Sequence, residues 1–260
     1  MSQNDDRPAL RLYVLDTGLI DMTDYAMFSP SAGEREPYLM PVRSYVVVHP
    51  QGTLVWDTGI EDAIHAEGKR QIIEEIAFKV PKTMRSQLDE IGIDPASVTY
   101  LAFSHLHPDH VGNVGLFPQT TVLLQQDEAD AAFGPDAEQL TYFPDAYAAL
   151  ERDNVRAVDG EHDVFGDGSV VLTPLPGHTP GHQGLLVTLP ETGRVLLAGD
   201  VSYSAKDYAA SAVRTQNVDL EASARSLEAA KRLERDGVAV WLHHDAEAQR
   251  DVRTAPEFYA

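Results

Sequence analysis

Between positions 104 and 110 the chain reads Ser104-His105-Leu106-His107-Pro108-Asp109-His110. Three imidazoles and a carboxylate crowd together immediately after an apolar run. Imidazole nitrogen and carboxylate oxygen are ligands of zinc and of other first-row divalent metals. Residues two apart share a face of an extended segment, so His105 and His107 can serve one ion. Asp109 and His110 follow across a turn and can serve a second. The chemistry indicated is metal-assisted hydrolysis, in which paired ions make a nucleophile at neutral pH and polarise a carbonyl.

Three further segments share one grammar, a strand-like run that ends on a potential ligand. They are Leu175-Pro176-Gly177-His178, with His182 close behind, Val195-Leu196-Leu197-Ala198-Gly199-Asp200, and Val240-Trp241-Leu242-His243-His244-Asp245. A rigid sheet holds such ligands at strand ends while their tips converge above it. Asp200 is positioned to bridge two ions, and His178 and a late histidine complete their shells. Adjacent residues of an extended segment point opposite ways, so spacing alone leaves His243 and His244 as alternatives. His182 is read as structural, and His49, His65 and His162 as ordinary hydrogen-bonded histidines.

Composition limits the alternatives. The chain has 260 residues, 43% hydrophobic, and no cysteine. Disulfides, zinc ribbons and cysteine nucleophiles are excluded, and any metal must sit on nitrogen and oxygen. The net charge of -21 argues against a nucleic-acid partner. Met1–Arg7 is polar and acidic, without a leader pattern, and no window is apolar enough for a spanning helix. A cytoplasmic protein is expected, with the whole span 1–260 as one domain.

The elements that must position these residues follow from pattern. Strands are expected over 10–16, 42–49, 53–57, 98–103, 121–124, 170–173, 184–189, 195–198 and 238–242. A Pro/Gly/Ser-rich loop is expected over 29–41. The span 61–91 reads as mostly helical, with Ile72, Ile73, Ile76 and Ala77 at helical spacing. Those side chains are read as core, with a pocket cover as the alternative. Short helices are expected at 127–132 and 145–150. A longer one over 220–233 carries Leu220, Ala224, Leu227, Ala230 and Leu233 on its apolar face and stops at Gly237. Hairpins alternating with helices point to an α+β sandwich of two mixed sheets with helices outside.

The 105–110 run resembles the HxHxDH motif of the metallo-β-lactamase superfamily, and the resemblance extends over essentially the whole chain. It implies an αββα sandwich with a dinuclear site at one edge of the sheets. Asp57, in Val55-Trp56-Asp57-Thr58-Gly59, matches a family segment that braces the ligand loop. Within the superfamily the chain looks most like the quorum-quenching N-acyl homoserine lactone lactonases. That likeness rests on four features: the Pro176–Gln183 context of His178, Tyr203 three residues after Asp200, His244 followed by Asp245, and the ending Ala255–Ala260. It assigns His105, His107 and His178 to one metal, Asp109, His110 and His244 to the other, and Asp200 to both. It implies two divalent ions, zinc first, with cobalt, manganese and iron fitting the same ligands.

The resemblance implies hydrolysis of a small-molecule lactone. Tyr203 would steady the oxyanion, and Asp109, or a metal-bound water, would hand a proton to the leaving oxygen. Another lactone or ester, such as a pyridine-fused lactone, is the alternative substrate. The likeness also allows a homodimer. Met22–Phe28 and Ile72–Val80 are candidate walls for an acyl groove. Pro108 stands where lactonases often carry phenylalanine, and His243 where they usually carry glycine. Neither departure touches the seven ligand positions.

Overall fold

The computed structural model of the chain describes residues 10–33, 36–150 and 152–260. Met1–Arg7, read above for a leader, lies outside the described residues, as do positions 34 and 35 of the loop expected over 29–41. The first sheet draws on β1 (Arg11–Met22), β2 (Tyr38–His49), β3 (Gly52–Trp56), β4 (Arg70–Ile73), β5 (Ile76–Lys79), β6 (Tyr100–Ala102), β7 (Thr121–Gln125) and β8 (Val155–Val158). The second draws on β9 (His162–Asp163), β10 (Val170–Pro174), β11 (Gln183–Leu189), β12 (Gly193–Leu197) and β13 (Ala239–Trp241). A last strand, β14 (Phe258–Tyr259), pairs back onto β1.

The first sheet runs β4-β5-β1-β2-β3-β6-β7-β8 and the second β13-β12-β11-β10-β9. Both are mixed. β1 and β2 are antiparallel, whereas β3, β6, β7 and β8 lie parallel. In the second sheet only β12–β13 is parallel. Parallel neighbours end on the same side of a sheet, so the loops after β3 and β6 emerge together.

The alternation along β1 explains the sandwich. Leu12 and Val14 face inward and pack with Val47, Leu54, Leu185, Val187 and Val195 from both sheets. Tyr13 and Leu15 face outward and pack under Met84 and Leu88 of a covering helix. A sheet buried on both faces needs apolar residues in both phases, as this strand provides. The helices are α1 (Ile64–Glu67), α2 (Met84–Glu90), α3 (Pro108–Val111), α4 (Gln126–Ala132), α5 (Ala205–Ala210) and α6 (Leu220–Arg235). α6 covers the second sheet through Leu227 and Ala230, which pack on Leu175 and Leu196. The architecture is the expected α+β one, two mixed sheets flanked by helices.

Several local expectations change. Residues 71–78 form no helix but the β4–β5 hairpin, which pairs to the far half of β1 with Ile20 opposite Phe78 and Met22 opposite Ile76. Three isoleucines suit a pleated surface, and the partner that decides between strand and helix lies about fifty residues away. The helical reading of 61–91 shrinks to α1 and α2. β1 runs on to Met22, through a break in register between Asp16 and Gly18. The 145–150 helix is a short 3-10 turn at Pro144–Tyr147. The buried face of α6 is Ala222, Ser223, Ser226, Leu227 and Ala230, while Leu220 and Ala224 are exposed.

Candidate dinuclear metal centre

The strand ends deliver the site. After β6 the chain continues through the buried Phe103 and Ser104 to His105, and α3 opens on Pro108, a favoured first helical residue. Asp57 follows β3 with φ of 53° and accepts hydrogen bonds from Ser104 N at 2.7 Å and Ser104 Oγ at 3.0 Å. His178 follows β10, Asp200 follows β12, and His243 and His244 follow β13.

All seven sequence-predicted ligands meet in one place. Nε2 of His105 and Nε2 of His178 lie 2.9 and 3.1 Å from Nδ1 of His107. On the other side, Nε2 of His110 and of His244 lie 3.3 and 3.4 Å from Oδ2 of Asp109. Asp200 stands between the two groups. Its Oδ2 is 3.8 Å from His105 Nε2 and 3.4 Å from His178 Nε2, while its Oδ1 is 3.4 Å from His110 and 3.3 Å from His244. These separations match the edge, roughly 3.3 Å, of a tetrahedron of ligands about 2.0–2.1 Å from an ion.

The outward nitrogens complete the test of fit. Each histidine uses its other ring nitrogen on a fixed acceptor, which leaves an inward lone pair. His110 Nδ1 donates to Asp57 Oδ2 at 2.9 Å, His178 Nδ1 to Asn217 Oδ1 at 3.0 Å, and His244 Nδ1 to the Pro41 carbonyl at 2.9 Å. His107 Nε2 donates to Thr141 Oγ1 at 3.2 Å, and His105 Nδ1 to Ser104 Oγ at 3.0 Å. Such partners set the tautomer and ring angle of metal-bound histidines. Two inward atoms, His110 Nε2 and Asp200 Oδ1, are buried without any hydrogen bond. Two clusters of buried His and Asp are thus built to hold a pair of metal ions.

Charge within the site is strongly perturbed. Burial pushes His105 and His178 well below the usual imidazole range, so both are neutral. Burial would also lower His244, but the carboxylates of Asp200 and Asp109 outweigh it and push it up to about 9. Burial opposes the charge on Asp200, yet the surrounding imidazoles hold it well below the usual carboxylate range.

Two histidines beside the clusters have other partners. His182 donates Nδ1 to the Leu175 carbonyl and accepts Asp200 N on Nε2, both at 2.9 Å, so it props the Asp200 loop as its structural reading expects. His243 lies against His110, centroids 4.5 Å apart with the rings tilted by 33°, and accepts Arg43 N on Nε2 at 3.4 Å. It also falls within ligand reach of His110 and His244.

Sequence reasoning missed the residues that aim the ligands. Asn217, Thr141 and Glu128 stand far from the motifs they serve. Glu128 is fully buried and accepts from Leu106 N, Thr179 Oγ1 and Gly181 N at 3.0, 2.7 and 3.1 Å, tying the His105–His107 loop to the His178 loop. Burial pushes its carboxyl up to about 7 against those hydrogen bonds. A Cβ on Gly181 would stand 2.1 Å from Glu128 N. Gly181→Ala is therefore expected to cost about 1 to 3 kcal/mol or more by overpacking, read as a lower urea midpoint. An unchanged midpoint would show that the loop yields freely.

The clusters floor a cavity of about 590 Å³. Met22, Met27, Phe28 and Met40 line it together with Ile72, Ile73, Ile76 and Phe78 of the hairpin. Ile72 and Ile73, each 46% exposed, line this cavity, so the cover reading replaces the core reading for them. Pro108 lies at the rim of the same space. Tyr203 lines it and donates its hydroxyl to Asp200 Oδ2 at 2.8 Å. Burial, little offset by Arg214, drives its phenol well above the usual range, so it stays protonated.

A two-sheet sandwich carrying paired His/Asp clusters at its strand ends, below an apolar cavity, defines a dinuclear metallohydrolase. The model of the Metallo-beta-lactamase superfamily matches residues 37–240. The N-acyl homoserine lactonase AttM of Agrobacterium fabrum is 32% identical over 265 residues, covering 96% of this chain and 99% of its own. An N-acyl homoserine lactonase of Bacillus sp is 29% identical, covering 95% and 98%. A solved N-acyl homoserine lactone hydrolase, with the product N-hexanoyl-L-homoserine at its catalytic metal centre, superposes with a TM-score of 0.82 at 25% identity, covering 95% and 98%. The chain belongs to the metallo-β-lactamase superfamily and, within it, to the N-acyl homoserine lactonase family. Among the described residues no helix is long and apolar enough to cross a membrane.

Proposed function

We propose that this chain opens the lactone ring of N-acyl homoserine lactones to the hydroxy acid, a quorum-quenching hydrolysis. The observation that carries the reading is Asp200 standing between two ligand groups beneath an apolar cavity of about 590 Å³. His105, His107 and His178 would hold one divalent ion, and Asp109, His110 and His244 the other, with Asp200 common to both. Zinc is the first choice for this ligand set, and cobalt, manganese and iron also suit it. Bound there, the ions would supply a hydroxide at neutral pH and polarise the lactone carbonyl.

The chain's own groups do the rest. The Tyr203 hydroxyl turns its one proton from Asp200 to the carbonyl oxygen as charge builds there. Asp109 takes the proton of the attacking water and returns it to the ring oxygen as the ester C–O bond breaks. The Met22–Phe28 and hairpin walls shed water from the acyl tail. A homodimer belongs to the same proposal, as does a cytoplasmic setting suited to a chain without cysteine.

Assay with acyl homoserine lactones of several chain lengths, beside aryl esters and a pyridine-fused lactone, tests this. The expected result is ring-opened acid from the homoserine lactones. Turnover confined to the other substrates would overturn it. Tyr203→Phe removes a donor but no ligand. It is expected to lower kcat by roughly ten- to a hundredfold while metal content stays at two per chain. An unchanged kcat would reduce Tyr203 to a wall residue.

A further inference from the structure

Among the described residues Arg214 is a cation without a counter-charge. It is 7% exposed and lines the cavity above the clusters. Its guanidinium carbon lies 4.0 Å from the Tyr203 ring centre and 4.6 Å from that of Phe28. Those two rings are roughly parallel, 5.9 Å apart, so the guanidinium is braced on an aromatic pair. Nε and Nη1 are buried and make no hydrogen bond. Among the described residues no carboxylate pairs with it.

A buried guanidinium with idle donors is costly, because water has been removed and nothing replaces it. The aromatic faces offset part of that cost but are weak acceptors for N–H. The missing acceptor must then come from what enters the cavity. An N-acyl homoserine lactone carries two carbonyl oxygens, the lactone's and, across the nitrogen borne by the ring, the amide's. The lactone oxygen is taken at the clusters by Tyr203. Arg214, over the ring of that same tyrosine, offers the cavity a second donor for the other oxygen. Its planar, permanently charged fork suits a carbonyl oxygen better than a compact ammonium would.

We propose that Arg214 is a specificity residue that hydrogen-bonds the amide carbonyl of the acyl arm and so selects lactones bearing that amide. This rests on the lactonase reading above and names which feature of the substrate the site recognises. It assigns Arg214 to binding, with no part in proton transfer.

The test compares wild type, Arg214→Met and Arg214→Lys, each loaded with two zinc ions and matched for metal content and urea midpoint. Substrates are N-hexanoyl homoserine lactone and γ-caprolactone, which has the ring and an alkyl arm but no amide. Arg214→Met is expected to raise KM for the amide substrate by at least about tenfold, with kcat within about threefold, as for loss of a charged hydrogen bond. Its constants for γ-caprolactone should stay within about threefold, and Arg214→Lys should fall between. Calorimetry with ring-opened N-hexanoyl homoserine should show the same loss of affinity. Equal losses on both lactones would mean that Arg214 only steadies Tyr203, and no loss would make it inert; either result overturns the proposal. Failure of two-zinc wild type to open N-hexanoyl homoserine lactone, while opening γ-caprolactone, is a different failure, that of the lactonase reading itself.

Discussion

Asp200→Ala is expected to empty both metal positions together and to lower turnover by roughly a thousandfold or more. The reason is geometric. Each carboxylate oxygen faces a different histidine group, at 3.4 Å from His178 on one side and 3.3 Å from His244 on the other. No neighbouring side chain can replace a ligand that serves two ions at once. The substitution also removes the acceptor of the Tyr203 hydroxyl, so the phenol loses its aim. Tyr203→Phe separates this second effect from the first, because it leaves every ligand in place. Metal analysis beside steady-state kinetics reads the outcome. One ion retained at full occupancy with turnover intact would show that Asp200 is not shared.

Stripping the metals with a chelator is expected to abolish turnover, which should return only with two equivalents per chain. Full recovery at one equivalent would contradict a two-ion site. The metal-free site carries its own prediction about pH. Burial lowers His244 and His110, but Asp200 and Asp109 outweigh it, so His244 is raised to about 9 and His110 well above 6.5. These imidazoles take up protons where the ions would sit. In the metal-free protein the contribution of His244 to stability is full below the unfolded value near 6.5 and fades as pH rises through about 9. Metal binding must displace those protons, so affinity should rise with pH up to about 9. Titration calorimetry in buffers of different ionisation heat measures the released protons. Metal binding that released none would contradict the assignment.

The site was more legible in the sequence than the walls around it. His105, His107, Asp109 and His110 are set by spacing within one loop, and His178, Asp200 and His244 each close an apolar strand. Such signals are local, and rigid strand ends carry them into one place. Asn217, Thr141 and Glu128 were not legible. An asparagine, a threonine or a glutamate is unremarkable until folding brings it under a ligand 20 to 40 residues away. Arg214 was missed for a related reason, since its lack of a partner is a property of the fold and not of its neighbours in sequence.

The fold divides in the same way. The alternation that buries β1, β2 and β11 declares itself in a few residues. The hairpin at 70–79 does not, because Ile72, Ile73, Ile76 and Ala77 satisfy a helical period as well as a pleat. Pairing with Leu19–Met22 settles the matter, and that half of β1 was itself not foreseen. On α6, the packing of Ser223 and Ser226 against the Asn217 and Pro176 segments outweighed the apolar pattern.

That hairpin supplies no ligand and no proton. It is attached to the molecule chiefly through one strand, β1, at the border of the first sheet. The part proposed to hold the acyl tail is thus an annex to the part that carries the ligands. On the proposed reading, changes confined to 70–79 would alter which acyl arm is held while leaving every ligand in place. Which signal such an enzyme silences, and whether it silences any, are then questions put to different strands.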